Sequence, residues 1–543
     1  MTIKGHHCVA RALRDHGVDT VFGLLGDANM LHVHDYTEHE GGTFVSAVDE
    51  RGAVSMADGY ARIRGTAGVV TVTHGPATTN TITALVEAVR ADSPILLITG
   101  DPVSKRYFPQ EIDLEGLARL SGADYWRVRT PEHLVDDLAM VLAKVELTRR
   151  PLVLNIPFDF QFADLEYARS PFRPVEPQVT GPDEAALDRA LGVLASARRP
   201  VVVAGRGAVL ADAGKELVGL ADALGAPLAS TAGAKDLFSG HPYDIGIIGT
   251  VARPKALDVI NSSDCLIVFG AGLNDHTTVG GALLRDKAIV RCDLRPEKLL
   301  RATPADAVVL GDAKAIATEM LDRLREAELE PGTWRISALG PAGMPGVPVS
   351  EDFTDRSGPG GIDPRTAMIR LDEILPRPRQ VVTDVGRFVT APWRYLHADA
   401  GTRFFQTGGN WSSIGLGVAA AIGAASAAPD HLTVAVVGDG GGMMGIVEFS
   451  TAVRNRIPFL LVVVNDRCYG AEYPKLINHG VDPDYASLGW PSLAGVARSL
   501  GGAGHTVRTP AELDAAVAAI RHPLDTPTLI ELEVDRRIEP SES

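Results

Sequence analysis

The stretch LTVAVVGDGGGMMGIVEFSTAVRNRIPFLLVVVND, residues 432–466, decides how the rest of this 543-residue chain is read. One apolar run ends at Gly438, and Asp439 with Gly440, Gly441 and Gly442 opens a helical stretch. A second apolar run ends at Asn465-Asp466 and is followed by CYG. Near-continuous apolar strands that alternate with helices indicate a parallel sheet covered on both faces and built from βαβ units. Adjacent parallel strands end at the same edge, so Asp439 and the Asn465-Asp466 pair are expected side by side. Glycines at a strand-to-helix turn let the backbone approach a phosphate, and the helix N-terminus offers free N–H groups. An aspartate there repels phosphate unless a cation lies between them. A divalent metal bridging Asp439 to a diphosphate is the economical reading, and hard oxygen ligands suit Mg²⁺. A lone GDGG is equally well a tight turn; the second oxygen ligand one βαβ unit later favours the metal.

The same rhythm extends outward in both directions. GVVTVTH (68–74), PILLITG (94–100), PLVLNIP (151–157), PVVVAG (200–205), CLIVFGAG (265–272), AIVRCDL (288–294) and TLIELEV (528–534) read as further strands. Two proline-rich stretches, 166–184 and 329–361, break the pattern and read as linkers. They leave blocks at 1–165, 185–328 and 362–543, each with its own strands. The predicted class is therefore α/β, with three doubly wound parallel-sheet domains.

Composition bounds the function. Hydrophobic residues make up 45% of the chain and charged residues 22%, which excludes bulk disorder. The net charge of −16 argues against nucleic acid or an anionic membrane as the main partner. No apolar run approaches the ~20 residues of a membrane span. The four cysteines show no metal-ligand spacing and the first residues lack the apolar core of a signal peptide, so a reduced, cytoplasmic protein is expected.

A GDG turn, a helix and a strand ending in an Asn/Asp pair resemble the signature of thiamine-diphosphate-dependent enzymes. The resemblance implies thiamine diphosphate and Mg²⁺ as cofactors. It assigns the metal to Asp439, to the side chain 27 residues later, Asp466, and to the backbone carbonyl of Cys468. Asn465 is one residue early and is the lesser alternative. Gly438, Gly440, Gly441, Tyr469 and Gly470 fall around the cofactor in this register. The family plan also names the three domains: pyrimidine-binding, central Rossmann-like and diphosphate-binding. It further implies a homodimer or homotetramer with active sites between subunits.

The segment from Val45 to Asp101 is similar to the pyrimidine-binding domain of that family, and acetolactate synthases carry a close string. By itself, Glu50 before a helix reads as a capping or surface residue. The resemblance instead makes it the carboxylate that hydrogen-bonds N1′ of the aminopyrimidine and so promotes ylid formation. TGGNWSSIGLGVAAAIGA (407–424) resembles the segment that bends the cofactor, with Ile414 as the wedge and the Ser412 backbone against the aminopyrimidine.

The implied chemistry is ylid attack on a 2-oxoacid, loss of CO₂, and an enamine that is protonated or attacks an aldehyde or second oxoacid. Asp27, in VFGLLGDAN, matches an aspartate of the pyruvate decarboxylase type, and Glu472 falls where those enzymes have a glutamate. Two such carboxylates make a proton relay. His74 is a third proton donor or a structural turn residue. The Gln110-Glu111 pair instead resembles acetolactate synthases, and Lys105 and Arg106 read as an anion-binding pair or as solvated surface. His32 and His34 have metal-like spacing without a third ligand nearby in sequence, and read as structural or substrate-facing. The glycine turns AGRGA (204–208) and FGAGLND (269–275) leave FAD, an ADP group or nothing in the central domain.

The expected activity is a 2-oxoacid decarboxylase or carboligase, with acetolactate synthase-like carboligation as the alternative. A Rossmann oxidoreductase leaves the Glu50 segment and the 439-to-466 spacing unexplained. A catalytically silent cofactor-binding regulator is disfavoured because Glu50, Asp439, Asp466 and Ile414 are all present.

Overall fold

A computed structural model describes residues 2–101, 108–172, 178–300, 304–409 and 411–541. It contains three six-stranded sheets, every neighbouring pair in them parallel, each flanked by helices. The expectation of three doubly wound α/β domains is borne out. A short antiparallel pair, Thr2–Lys4 with Asp164–Glu166, ties the chain start to the end of the first domain.

Each sheet first reverses its direction of growth beside its first strand, and that position fixes where a ligand crevice opens. In the first sheet the reversal lies between Thr20–Gly23 and Gly68–Thr71. In the central sheet it lies between Pro200–Ala204 and Cys265–Phe269. In the third it lies between Arg379–Thr383 and Leu432–Gly438. The segments after these strands carry the residues singled out above: Asp27, His74, the two central glycine turns and Asp439.

The first and third domains meet through the helices Glu50–Arg64 and Gly417–Ala427. Their contact faces are built of alanine and glycine, and the backbones touch. A Cβ on Gly59 would lie 1.9 Å from the Ala420 carbonyl oxygen, and one on Gly423 would lie 1.8 Å from that of Met56. Buried residues on both helices join one apolar core spanning the two sheets. Arg62 crosses the same boundary, donating to Asp58 at 2.9 Å and to the Gln406 carbonyl at 2.8 Å. The second proline-rich stretch folds onto the central domain, whose core takes in Leu339 and Met344.

Several strands lack the apolar signature. Arg379–Thr383 begins with a buried Arg379 and Gln380. Burying such groups is tolerable when their donors are satisfied. Arg379 Nε donates to the His397 carbonyl at 2.7 Å, and Gln380 Nε2 to Ala424 O and Thr433 Oγ1 at 2.8 and 2.7 Å.

Candidate active site

The third domain gathers its site at the C-terminal edge of the sheet. Leu432–Gly438 ends at the turn, and the helix Asp439–Gly445 begins with the aspartate itself. Leu460–Asn465 pairs with it in register, Gly438 opposite Val464, so Asp466 emerges beside Asp439. Asp439 is buried, and its Oδ2 has no hydrogen-bond partner. Burial, and then the neighbouring Asp466 charge, push its carboxyl up to about 7. An orphaned carboxylate oxygen facing a second carboxylate suits a hard divalent cation, which supplies the missing partner and cancels the repulsion. These residues therefore fit a Mg²⁺ ion. Gly440 is required by close approach, because a Cβ there would sit 2.7 Å from Cε1 of Tyr469.

The geometry separates Asp466 from Asn465. Side chains alternate along a strand, and Asn465 is committed elsewhere: Nδ2 donates to Glu531 at 2.8 Å, and Oδ1 accepts from the Arg467 N–H at 3.0 Å. Asp466 Oδ1 accepts from the Cys468 N–H at 3.1 Å. Its other oxygen takes the Arg387 guanidinium. The carbonyls of Arg467 and Tyr469 accept backbone hydrogen bonds from Leu488 and Tyr473, while among the described residues none reaches that of Cys468. The Cys468 thiol is pushed up to about 12, first by burial and then by Asp466, so it stays protonated.

Two groups beside this turn carried no signal in the sequence. Buried Asp384, after Arg379–Thr383, accepts the Gly415 N–H at 2.7 Å and fixes the segment that bears Ile414. Burial pushes its carboxyl up to about 6. Arg387, three residues later, reaches Asp466. Ile414 is half-buried, and Ser412 is exposed with φ +60°.

The first domain forms a second cluster. Glu50 is the first residue of its helix, but Asp49 is the cap, accepting the Arg51 and Gly52 N–H groups. The carboxylate of Glu50 is thus spared from capping; it is 9% exposed and takes a hydrogen bond from Asn80 at 3.0 Å. The helix start is stitched to the third domain: the Val48 and Asp49 N–H groups donate to Glu448, and Arg51 to the Met444 carbonyl. His74 is buried with its ring edge-on to Phe108, centroids 4.7 Å apart. The Gln110 backbone packs over the adjacent Gly75.

Asp27 is exposed, its carbonyl accepting from Gln161 Nε2 at 3.3 Å. Glu472 is also exposed, its side chain 58% open, and it pairs with Lys475 at 3.1 Å. Lys105 and Arg106 lie outside the described residues. His32 is buried and bonded to Thr71, with burial lowering it to about 4. His34 does have further ligand types nearby, Asp35 and His39, with ligand atoms within 4.8 Å of one another. This corrects the expectation of no third ligand nearby: Asp35 is the next residue and His39 caps the same helix, five residues on. In the central domain, the glycine turns border a cavity of about 540 Å³ reaching Trp393 and Gln406 of the third domain. Half-buried Arg206 on its wall is lowered to about 10 by desolvation. Among the described residues, no helix is long and apolar enough to cross a membrane.

Three family models match the chain in the order of its sheets. Residues 3–117 match the N-terminal TPP-binding domain of thiamine pyrophosphate enzymes, 187–321 their central domain, and 384–532 their C-terminal TPP-binding domain. The chain is a thiamine pyrophosphate enzyme. This thiamine pyrophosphate enzyme is 28% identical to the acetolactate synthase large subunit of Haemophilus influenzae over 529 residues, 94% of this chain and 91% of the relative. It is 28% identical over 546 residues to acetolactate synthase isozyme 3 large subunit of Escherichia coli, covering 95% and 92%. It is likewise 28% identical to a sulfoacetaldehyde acetyltransferase of Alcaligenes xylosoxydans xylosoxydans over 499 residues, 86% and 80%. The family expectation drawn from the glycine turn is borne out, and that turn lies inside the matched C-terminal domain of this thiamine pyrophosphate enzyme.

Proposed function

We propose that this enzyme decarboxylates a 2-oxoacid with thiamine diphosphate and Mg²⁺, and then releases or transfers the remaining acyl unit. The observation that carries the reading is the buried, unpartnered Oδ2 of Asp439 facing Asp466 across a glycine turn. Bound thiamine diphosphate supplies the carbanion chemistry that a protein side chain lacks. Asp439, Asp466 and the Cys468 carbonyl would hold the metal, and Gly438, Gly440, Gly441, Tyr469 and Gly470 would frame the diphosphate. Ile414 and the Ser412 backbone would hold the ring system, and Glu50 would share a proton with N1′ of the aminopyrimidine through a hydrogen bond. His74 and Gln110 would face the substrate from the first domain.

Two outcomes follow the loss of CO₂. Asp27 and Glu472 support protonation and aldehyde release, since each is a carboxylate with solvent access. Transfer to an aldehyde or a second oxoacid is the other reading, favoured by the names of the relatives, which are synthases and acetyltransferases. Purified protein loaded with both cofactors should be offered a panel of 2-oxoacids, alone and with acceptors, with CO₂ measured and products identified by mass spectrometry. No CO₂ from any of them refutes the reading.

The sites are proposed to form between subunits of a homo-oligomer. Glu50→Gln and Asp439→Asn should each abolish turnover, while the Glu50 variant still binds thiamine diphosphate with Mg²⁺. If each site takes Glu50 from one subunit and Asp439 from the other, refolding the two inactive variants together restores about a quarter of wild-type activity, because half the dimers are hybrids with one intact site. No recovery refutes the shared site. For the central cavity the alternatives stay a flavin, an ADP group or nothing, and the visible spectrum of purified protein and a thermal shift with ADP decide among them.

A further inference from the structure

Arg387 has no place in the functions assigned so far, yet it lies at the crevice between the strands Arg379–Thr383 and Leu432–Gly438. Its Nη2 donates to Asp466 Oδ2 at 3.1 Å and to the Arg536 carbonyl at 2.7 Å. The side chain is 13% exposed. Among the described residues it is the sole cation paired with Asp466, and no ion pair reaches Asp439. A guanidinium has five N–H donors, and the contacts to Asp466 and Arg536 both use Nη2. Nε and Nη1 remain, with Glu539 4.0 Å from Nη1.

The charge at the turn explains why a cation belongs there. Asp439 and Asp466 contribute two negative charges, which a divalent ion cancels. A diphosphate then brings further negative charge onto a neutral turn with low solvent access. Asparagine in place of Asp466 would leave the site one charge less negative and would offer the guanidinium no carboxylate. The second carboxylate and Arg387 therefore compensate each other.

We propose that Arg387 is a positioning residue with opposite effects on the two components of the cofactor. In the metal-free protein it occupies Asp466 Oδ2 and makes the turn less negative, which opposes binding of a divalent ion alone. Once the ion is bound, its remaining N–H groups favour the diphosphate oxygens. Metal and diphosphate are thereby made to bind together rather than separately. This inference rests on the reading that Asp439 and Asp466 hold the metal.

Arg387→Gln tests it by calorimetry, with Mn²⁺ as the metal probe and thiamine diphosphate at saturating Mn²⁺ as the second titrant. Loss of a charge-assisted hydrogen bond predicts roughly tenfold weaker thiamine diphosphate binding, while Mn²⁺ alone binds several-fold tighter. Arg387→Lys, which keeps the charge without the fork, should leave Mn²⁺ binding near wild type and recover part of the cofactor affinity. Unchanged affinities in Arg387→Gln, or both shifted in the same direction, overturn the inference; should the glutamine variant not fold, Arg387→Lys with wild-type cofactor affinity or with altered Mn²⁺ affinity overturns it. Asp439→Asn separates the two levels. If it retains Mn²⁺ and cofactor binding, the metal reading itself fails; if it loses both while Arg387→Gln loses neither, the inference alone fails.

Discussion

The protonation of Asp439 should govern metal binding, with a dependence that can be worked out in advance. Its carboxyl is raised from 3.8 to about 7, first by burial and then by Asp466. A shift of that size corresponds to about 4 kcal/mol of disfavour for the ionised form. A metal must displace the proton below pH 7, so affinity should fall about tenfold per pH unit there and level off above it. Titration of metal-free protein with Mn²⁺ should therefore give about fiftyfold weaker binding at pH 5 than at pH 7, with near-constant affinity from pH 7.5 to 8.5. The same shift acts on stability. The folded state keeps the proton up to about pH 7, whereas the unfolded chain releases it near 3.8, so metal-free protein loses stability as pH rises through that window. Asp439→Asn removes the titration: without metal it should melt above wild type at pH 8 and match it near pH 4, read by scanning fluorimetry in EDTA. Mn²⁺ affinity that is flat from pH 5 to 8 would refute the assignment of Asp439 as the buried, proton-holding ligand.

Other substitutions probe the rest of the site. Gly440→Ala drives a methyl group against the Tyr469 ring, with a Cβ 2.7 Å from Cε1, and should weaken thiamine diphosphate binding at least tenfold while circular dichroism stays unchanged. Asp466→Ala should lose Mn²⁺-dependent cofactor binding, whereas Asn465→Ala should retain it and instead cost about 1 kcal/mol through one lost hydrogen bond to Glu531, which keeps its other donors; the reverse ranking defeats the register. Asp27→Ala and Glu472→Ala, both at exposed positions, should lose aldehyde release while keeping carboligation. Equal loss of both products removes the distinction.

The parts of the fold legible in the sequence are those where one physical force acts alone. A strand covered on both faces must be apolar throughout, and Leu432–Gly438 and Leu460–Asn465 read directly as such. Arg379–Thr383 did not, because its polar groups are solvated by backbone carbonyls that only the folded chain supplies. Thr20–Gly23 is too short to stand out. Both missed strands flank a crevice, so the places where the sheets reverse were hidden even though the turns on their far sides were plain. The run of glycine and alanine after Gly415 forms a helix that packs backbone to backbone, and its partner is the helix headed by Glu50.

The site divides in the same way. Sequence by itself determined the glycine turn, the spacing from Asp439 to Asp466 and the family that these imply. All of them are local, because a strand, a tight turn and the next strand set their positions with little help from elsewhere. Tertiary structure alone decided that Asp49 rather than Glu50 caps the helix, that Glu472 pairs with Lys475 in solvent, and that Asp384 and Arg387 stand beside the glycine turn. Arg387 and Asp466 are 79 residues apart and share no motif. Only the parallel order of the strands brings their charges within reach, and electrostatic balance is a property of that neighbourhood, not of either segment.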